Sequence, residues 1–275
     1  MGEYLEKREQ LIRRMAQYAG QDVMVAFSGG VDSSLLLKLA HEAVQKTGKE
    51  VYAVTMQTRL HPTREIEEAK RVCEEIGAVH IVIAVDELEE AGIMNNPVER
   101  CYLCKKHLFL KMKERASELG ISVILEGTNE DDLHVYRPGI KALRELQIIS
   151  PLAEAGLTKA EVRKMACEYD ISVSSKPATP CLATRFPYGT ELTYEKMAQV
   201  EKGETFLKEM GIHNVRVRAH DKLARIEIDE TTFGEFLDHK KEITDYLKSL
   251  GFVYITLDLE GFRSGSMDVG INEVS

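Results

Sequence analysis

Residues 23–34 read Val23-Met24-Val25-Ala26-Phe27-Ser28-Gly29-Gly30-Val31-Asp32-Ser33-Ser34. An apolar run of strand length ends at a serine and two glycines, and a leucine-rich helical pattern begins directly after them. Adjacent glycines let the backbone turn sharply and bring its N–H groups close to a ligand. Serine hydroxyls and the free N–H groups of the helix start add donors for an anion. The stretch therefore predicts a phosphate-binding loop at the carboxyl end of a strand, where open α/β sheets bind ligands.

This loop is not a Walker loop, because the chain contains no Gly-x-x-x-x-Gly-Lys-Ser/Thr pattern. Ser28-Gly29-Gly30-Val31-Asp32-Ser33 instead resembles the Ser-Gly-Gly-x-Asp-Ser signature of the PP-loop ATP pyrophosphatases, which cleave ATP between its α and β phosphates. The alternative is an ordinary Gly-Gly turn with a serine cap. The six-residue match in a strand-to-helix context favours an ATP site.

Strands and helices alternate along the first half of the chain. Strand patterns occur at 50–56, 79–85 and 122–125, and helical patterns occur at 63–76 and 100–119. This alternation predicts an α/β fold with a doubly wound parallel sheet. The near-continuous β-branched run in the third strand is typical of a strand buried on both faces.

The last third of the chain has a different pattern, with a helix predicted over 193–210, strands over 213–218 and 224–228, a single helix over 233–250 and a last strand over 252–257. It predicts a smaller α+β domain at 188–275, after a PP-loop domain at 1–187. Thr158 with Glu161 three residues later predicts a capping box at the start of a helix. The proline-rich loop at 174–189 is long enough to be functional.

Composition excludes several classes of protein. The 275 residues are 44% hydrophobic and 29% charged, and no apolar run approaches the length of a membrane span. The N-terminus reads as an amphipathic helix rather than a signal peptide, so we expect a cytoplasmic protein without membrane contact. The net charge of −9 argues against a nucleic-acid partner.

The five cysteines do not suggest a disulfide framework, because their number is odd and the chain looks cytosolic. Cys181 lies in a polar, proline-rich loop with Lys176 and Arg185 nearby in sequence, which favours a reactive thiolate over a small buried hydrophobe. Cys73 and Cys167 fall in helix interiors beside apolar residues and are predicted to pack.

Cys101 and Cys104 form a Cys-x-x-Cys at a predicted helix start, where the dipole favours thiolate. Three interpretations compete: a redox pair, half of a zinc site that includes His107, or ligands of an iron–sulfur cluster. Together with Cys181, the pair would give three thiolates and leave one iron open.

Two further stretches are candidates for binding anions. Arg216 and Arg218 alternate on a predicted strand and therefore point to one face, while Arg263 lies in a glycine- and serine-rich turn. The acidic residues in the stretch 126–132 follow the fourth strand. They are equally consistent with a Mg²⁺ site and with helix capping.

Taken together, five stretches resemble the LarE family of ATP-dependent sulfur transferases, which mature the nickel-pincer nucleotide cofactor of lactate racemase. The similarity extends over nearly the whole chain and depends on residues 28–33, 126–129, 180–185, 216–218 and 261–267. The resemblance implies that ATP adenylates a carboxylate of a pyridinium biscarboxylic acid mononucleotide. A sulfur nucleophile then displaces AMP to give a thiocarboxylate.

The resemblance also implies roles for individual residues. ATP and Mg²⁺ would be held by Ser28, Gly29, Gly30, Asp32 (the Mg²⁺ ligand), Ser33, Met56, Gly127 and Thr128. The substrate would be bound by Arg185, Arg216, Arg218 and Arg263. Cys181 would deliver sulfur, with Glu204 as an assisting base.

Cys101 and Cys104 depart from the family form in which one cysteine gives up its own sulfur and becomes dehydroalanine. They resemble the three-cysteine form, in which a 4Fe-4S cluster on Cys101, Cys104 and Cys181 carries an extra sulfide. We therefore expect ATP, Mg²⁺ and a 4Fe-4S cluster as cofactors, and keep the sacrificial cysteine as the alternative. The family further implies a homo-oligomer that serves a downstream nickel-insertion enzyme and a racemase.

Other functions stay open on the sequence alone. A different PP-loop enzyme, such as a tRNA thiolase or an amide-forming ligase, would share the phosphate loop. A non-enzymatic nucleotide sensor would bind ATP without releasing pyrophosphate. The acidic balance and the missing RNA-binding and glutaminase domains argue against the first two.

Overall fold

The computed structural model describes residues 2–61, 64–135, 137–177, 179–263 and 265–268. It divides into two compact units, one of residues 1–59, 63–92 and 99–179 and one of residues 60–62, 93–98 and 180–275. The sequence-based boundary near residue 187 lies inside the second unit. The loop that contains Cys181 belongs to that unit because the Leu182 N–H donates to the Leu60 carbonyl at 2.8 Å and the Thr184 carbonyl accepts from Arg218 at 3.0 Å.

The first unit is an α/β layer around a parallel sheet. Its elements in chain order are α1 (Gly2–Ala16), β1 (Val23–Ala26), α2 (Val31–Val44), β2 (Val51–Gln57), α3 (Arg64–Ile76), β3 (Val79–Ala84), α4 (Glu87–Glu90), α5 (Arg100–Glu118), β4 (Val123–Leu125), a 3₁₀ turn (Asp131–His134), α6 (Gly139–Glu145), α7 (Pro151–Glu154) and α8 (Lys159–Glu168). The strand order is β3-β2-β1-β4 and every pairing is parallel.

Helices cover both faces of this sheet. Val23 and Val25 of β1 belong to the core that contains the leucines of α2, while Met24 packs with Phe109 and Met112 of α5 on the other face. Successive residues of a strand point to opposite faces, so β1 is buried on both. The predicted doubly wound parallel sheet is confirmed.

The third strand differs from its prediction. In the described part of the chain β3 pairs only with β2 and forms an edge of the sheet, and Val79 and Val82 are 40% and 43% exposed. The prediction that β3 is buried on both faces is wrong. Its β-branched run reflects the preference of such side chains for extended backbone, which edge and central strands share.

The second unit contains a three-stranded mixed sheet of order β5-β6-β7, with β5 antiparallel and β7 parallel to β6. Its elements are a 3₁₀ turn (Leu182–Arg185), α9 (Tyr194–Glu209), β5 (Val215–His220), β6 (Leu223–Ile228), a 3₁₀ turn (Glu230–Thr232), α10 (Phe233–Asp238), α11 (Lys240–Ser249) and β7 (Tyr254–Leu257). The single helix expected over residues 233–250 is two helices, because His239 with ψ near 10° interrupts the helical geometry.

Within the part of the chain that the structure describes, no helix combines the length and the apolar character that a membrane crossing requires.

Candidate functional site

The phosphate loop follows β1 and runs into the first turn of α2. Gly29 has φ +69°, and a Cβ there would lie 3.0 Å from the Cα of Ala69, so the position requires glycine on two grounds. The Ser33 hydroxyl accepts from the Ser28 N–H at 3.3 Å, bonds to the Ser28 hydroxyl at 3.2 Å and donates to the Gly30 carbonyl at 3.2 Å. These bonds hold a tight turn at a helix N-terminus, a geometry suited to phosphate.

The loop after β4 passes directly against the phosphate loop. A Cβ on Gly127 would lie 3.0 Å from the Ser33 nitrogen. The Thr128 N–H and hydroxyl both donate to the buried Glu126 carboxylate, at 3.0 and 2.8 Å. Met56, near the end of β2, is half-buried. The carboxyl ends of β1, β2 and β4 thus bring the predicted ATP-binding residues to one edge of the sheet.

Asp32 already has two partners in this site. Its carboxylate accepts from the Asn129 side-chain amide at 3.1 Å and forms an ion pair with the Lys159 ammonium. Lys159 is the first residue of α8 and directly follows Thr158, whose predicted capping box with Glu161 is confirmed. Sequence reasoning missed Lys159. The available signal was a lysine immediately after a predicted N-cap.

The acidic residues after β4 stabilise turns. Asp131 accepts from the Lys159 backbone N–H at 2.9 Å and Asp132 accepts from the Asn129 N–H at 3.2 Å. These bonds favour the capping interpretation for both carboxylates. Among the described residues, no group of three or more His, Cys, Asp or Glu side chains is arranged to hold a metal ion.

Cys101 lies in the first turn of α5 and is exposed, and Cys104 begins the second turn and is half-buried. The buried Arg100 guanidinium lies 3.9 Å from the Cys101 sulfur. His107, the residue weighed for half a zinc site, instead pairs with Glu90 at 3.3 Å.

The other two first-unit cysteines differ from each other. Cys73 is buried, donates to the Ala78 carbonyl at 3.3 Å and has its pKa raised to about 11 by burial. Its predicted packing role is confirmed. Cys167 is exposed on α8, so the prediction that it packs is wrong, because its position in the helix faces solvent.

The thiol loop, residues 180–186, belongs to the second unit and places Cys181 half-buried before the 3₁₀ turn. Arg185, only 2% exposed, donates through Nη1 to the Pro180 and Cys181 carbonyls at 3.1 and 3.2 Å. Lys176, expected to favour the thiolate, lies in the first unit, where its ammonium pairs with Glu68 at 2.6 Å and Glu65 at 3.5 Å. Its charge is shared with carboxylates of α3.

Glu204 of α9 is the buried partner of Arg185. Its two oxygens accept from Arg185 Nε at 2.8 Å and Nη2 at 3.0 Å, and the Val217 N–H adds a bond at 3.1 Å. Burial alone would raise its pKa, but the hydrogen bond and charge of Arg185, together with the charges of Lys208 and Arg216, outweigh burial, so the pKa of Glu204 lies below its usual range. The geometry therefore describes an ionised carboxylate that orients a guanidinium.

Arg218 and Arg263 also have acidic partners. Arg218 donates through Nε and Nη2 to Glu227 at 3.0 and 2.8 Å. Glu227 is fully buried and also accepts from Arg225 at 3.0 Å, a role that the sequence analysis missed. Arg263 pairs with Glu260 at 2.6 Å and Asp258 at 3.5 Å.

Arg216 stands apart from these arginines. Its guanidinium lies over the Phe262 ring at 5.0 Å and donates to the Val215 carbonyl at 2.8 Å. In the described part of the chain no carboxylate pairs with it within 4.0 Å. Burial is the largest effect that lowers the pKa of the Arg216 guanidinium, and repulsion from the charge of Arg185 is the second. An incomplete charge balance of this kind favours binding of an anion.

Comparison with known proteins agrees with this geometry. A family described as a PP-loop domain matches residues 4–136. The chain is 40% identical over 248 residues to the pyridinium-3,5-bisthiocarboxylic acid mononucleotide synthase of Lactiplantibacillus plantarum, covering 90% of this chain and 89% of that protein.

Two other relatives differ in how much of the chain they match. An uncharacterized protein of Synechocystis sp. is 36% identical over 264 residues, covering 94% of this chain and 97% of that protein. A tRNA-specific 2-thiouridylase of Rickettsia peacockii is 27% identical over 194 residues, covering 56% of this chain and 52% of that protein. Because the phosphate loop and the thiol loop occur together with near-complete matches to the Lactiplantibacillus plantarum and Synechocystis proteins, the chain belongs to the LarE family of PP-loop ATP-dependent sulfur transferases.

Proposed function

We propose that this protein uses ATP to convert a carboxylate of pyridinium-3,5-biscarboxylic acid mononucleotide into a thiocarboxylate, a step towards a nickel-pincer nucleotide cofactor. The single observation that carries the proposal is the 40% identity over 90% of the chain to a synthase of the bisthiocarboxylic acid mononucleotide. A phosphate loop, a half-buried thiol in a hydrogen-bonded loop and an arginine, Arg216, with no carboxylate partner among the described residues support it.

The first step is activation of the carboxylate. One substrate oxygen attacks the α-phosphorus of ATP, the bond to the β-phosphate oxygen breaks, and pyrophosphate leaves. Ser28, Gly29, Gly30 and Ser33 would hold the phosphates through hydroxyls and backbone N–H groups, with Gly127, Thr128 and Met56 lining the same edge. Asp32 fits a Mg²⁺ ligand by its chemistry and by its place in the loop, and Mg²⁺ there would neutralise phosphate charge.

Substrate binding falls to the second unit. Arg216, which has no carboxylate partner among the described residues, would bind the phosphate or a carboxylate of the mononucleotide. Arg218 and Arg263 would also donate hydrogen bonds to the substrate, through those N–H groups that their carboxylate partners do not use. Arg185 and Glu204, predicted as a substrate ligand and a base, are buried against each other.

The second step is sulfur transfer. A sulfur nucleophile attacks the acyl carbon, and AMP leaves with the former carboxylate oxygen. Cys101, Cys104 and Cys181 have the donor chemistry of a 4Fe-4S cluster, since three thiolates suffice for such a cluster with one open iron. When bound, the cluster would supply a sulfide. The alternative is transfer of the sulfur of Cys181 itself, which leaves dehydroalanine.

Two measurements test the proposal. Incubation with ATP, Mg²⁺ and the mononucleotide should release pyrophosphate and give a product that gains sulfur in place of oxygen. Absence of pyrophosphate despite ATP binding would favour a nucleotide sensor. Anaerobic reconstitution with iron and sulfide, followed by EPR, tests the cluster.

The mass of the protein after turnover separates the two sulfur sources. Loss of one H₂S, about 34 Da, from the Cys181 peptide marks the sacrificial route. An unchanged mass with several product molecules per chain marks the cluster route.

The tRNA thiolase remains as a second candidate because a 2-thiouridylase matches 56% of the chain. Its partial coverage and the net charge of −9 disfavour it. A tRNA gel-shift at physiological salt is expected to show no complex.

The proposal also includes assembly into a homo-oligomer and two downstream partners, a nickel-insertion enzyme and a racemase.

A further inference from the structure

Both peptide planes that flank Cys181 are fixed by hydrogen bonds. On one side, the Pro180 carbonyl accepts from Arg185 Nη1 at 3.1 Å. On the other side, the Cys181 carbonyl accepts from three donors, namely the Thr184 hydroxyl at 2.7 Å, the Thr184 N–H at 3.1 Å and Arg185 Nη1 at 3.2 Å. The Leu182 N–H of this same plane donates to the Leu60 carbonyl at 2.8 Å.

Fixing two successive peptide planes fixes the residue between them. The peptide unit is planar, so a residue has only two soft backbone torsions, and both are determined once the planes on either side are held. The direction of the Cα–Cβ bond of Cys181 is then set. The sulfur retains rotation about χ1 alone, which has three staggered positions.

Arg185 has almost no hydrogen-bonding capacity left for a ligand. A guanidinium carries five N–H groups. One on Nε and one on Nη2 go to Glu204, and the two on Nη1 are shared among the Pro180 carbonyl, the Cys181 carbonyl and the Thr184 hydroxyl. The side chain is 2% exposed. Glu204 is itself tied to β5 through the Val217 N–H at 3.1 Å.

We propose that Arg185, oriented by Glu204 and assisted by Thr184, is a positioning residue that fixes Cys181 for sulfur chemistry and does not bind the substrate. The catalytic part of this inference rests on the proposed function. The conformational part rests on the geometry of the thiol loop alone. Misplacing a reacting sulfur by about 1 Å lowers the rate by about a hundredfold. Hydrogen bonds that fix the backbone of Cys181 would therefore have a large effect on the rate.

The experiment uses the full chain and compares R185K, T184V and T190V with the unchanged protein. R185K keeps the positive charge but loses the branched guanidinium that donates at once to Glu204 and to the loop carbonyls. T184V removes only the hydroxyl that donates to Cys181 and accepts from Arg185, and it leaves the ion pair intact. T190V is the matched control: it makes the same chemical change in the second unit but outside the thiol loop, at a threonine whose side chain has no hydrogen bond among the described contacts.

Two readouts are taken. Hydrogen exchange of the ligand-free protein reports the Leu182, Thr184 and Phe186 amides, of which the first bonds to the Leu60 carbonyl and the other two bond within the loop. We expect exchange about tenfold faster in T184V and faster still in R185K, with T190V unchanged. Steady-state kinetics should show kcat lower by about a hundredfold in R185K and about tenfold in T184V, with KM changed by less than about threefold.

Either of two results overturns the inference. Unchanged exchange in both T184V and R185K shows that these contacts do not hold the loop. A raised KM with unchanged kcat in R185K assigns Arg185 to substrate binding instead. If R185K does not fold, T184V decides both questions. If the unchanged protein does not turn over the mononucleotide, the proposed function fails, while exchange in the ligand-free protein still decides the conformational claim.

Discussion

The ammonium of Lys159 forms an ion pair with the carboxylate of Asp32 at the phosphate loop. One residue begins α8 and the other lies in the first turn of α2, so two helix N-termini meet at this contact. Both helix ends favour negative charge, and the lysine adds a full positive charge beside the phosphate loop.

Replacement of Lys159 by glutamine is expected to weaken ATP binding by about tenfold, because a positive charge beside the phosphate loop is lost and the Asp32 carboxylate loses its ion-pair partner. The measurement is isothermal titration with ATP, with and without Mg²⁺. Lys164→Gln is the matched control, since Lys164 lies on the same helix with its ammonium over the Tyr4 ring. Equal affinities for the two variants would contradict a role for Lys159.

Gly29→Ala should abolish most ATP binding. The added Cβ would meet the Ala69 backbone at 3.0 Å at a residue with φ +69°, so the loop must shift. Gly189→Ala imposes a similar φ of +77° with no atom within 4 Å, and should cost only about 1 kcal/mol of stability with ATP affinity retained. Titration with ATP and thermal unfolding of both variants separate the steric effect from the torsional one.

Cys101→Ser is expected to reduce the iron bound after anaerobic reconstitution to near background and to limit product to at most one per chain. Loss of one of three thiolates leaves too few ligands for the cluster. Cys167→Ser changes an equally exposed cysteine on α8 and should retain the iron and its EPR signal. Full iron content in Cys101→Ser would contradict the cluster assignment.

Phe262→Leu should raise the Kd of the mononucleotide by about threefold to tenfold, because the ring that holds the Arg216 guanidinium is removed. Phe262→Tyr keeps the aromatic face and should restore binding. Arg216→Lys is expected to weaken binding more than Phe262→Leu, since a point charge replaces a planar fork. Fluorescence or calorimetric titration measures the Kd of each variant. An unchanged Kd in Arg216→Lys would show that this residue does not bind the mononucleotide.

Acid should destabilise the second unit through Glu204. The pKa of Glu204 is lowered in the folded state, so its contribution is present above the unfolded value of about 4.3 and is lost as the pH falls through the lower folded value. Glu204→Gln should cost about 3 kcal/mol at pH 7 and flatten the stability profile below pH 4. The exposed Glu209→Gln on the same helix is the control, measured by urea unfolding at several pH values.

Local patterns in the sequence predicted the elements that depend on neighbouring residues. The phosphate loop at 28–33 and the Thr158 capping box are built from contacts a few residues apart, so their residue types and spacing identify them. The alternation of strands and helices likewise predicted the doubly wound sheet, because parallel strands require crossover connections.

Contacts between distant segments could not be predicted in this way. The strand order, which leaves β3 at an edge, depends on crossovers that the β-branched composition of β3 does not encode. The pairing of Asp32 with Lys159 joins residues 127 positions apart. Likewise, the sequence marked Arg185 as a cation near a thiol, but only the packing of α9 against the loop brings Glu204 to its guanidinium.

The sequence by itself therefore determined the chemistry that is present: a phosphate loop, a set of cysteines and a group of arginines. The tertiary structure alone decided which of those charges are already neutralised, leaving Arg216 without a carboxylate among the described residues while Arg185 and Arg218 are buried against Glu204 and Glu227. The physical reason is that charge pairing depends on distances of a few ångströms between segments far apart in the chain, and folding sets those distances.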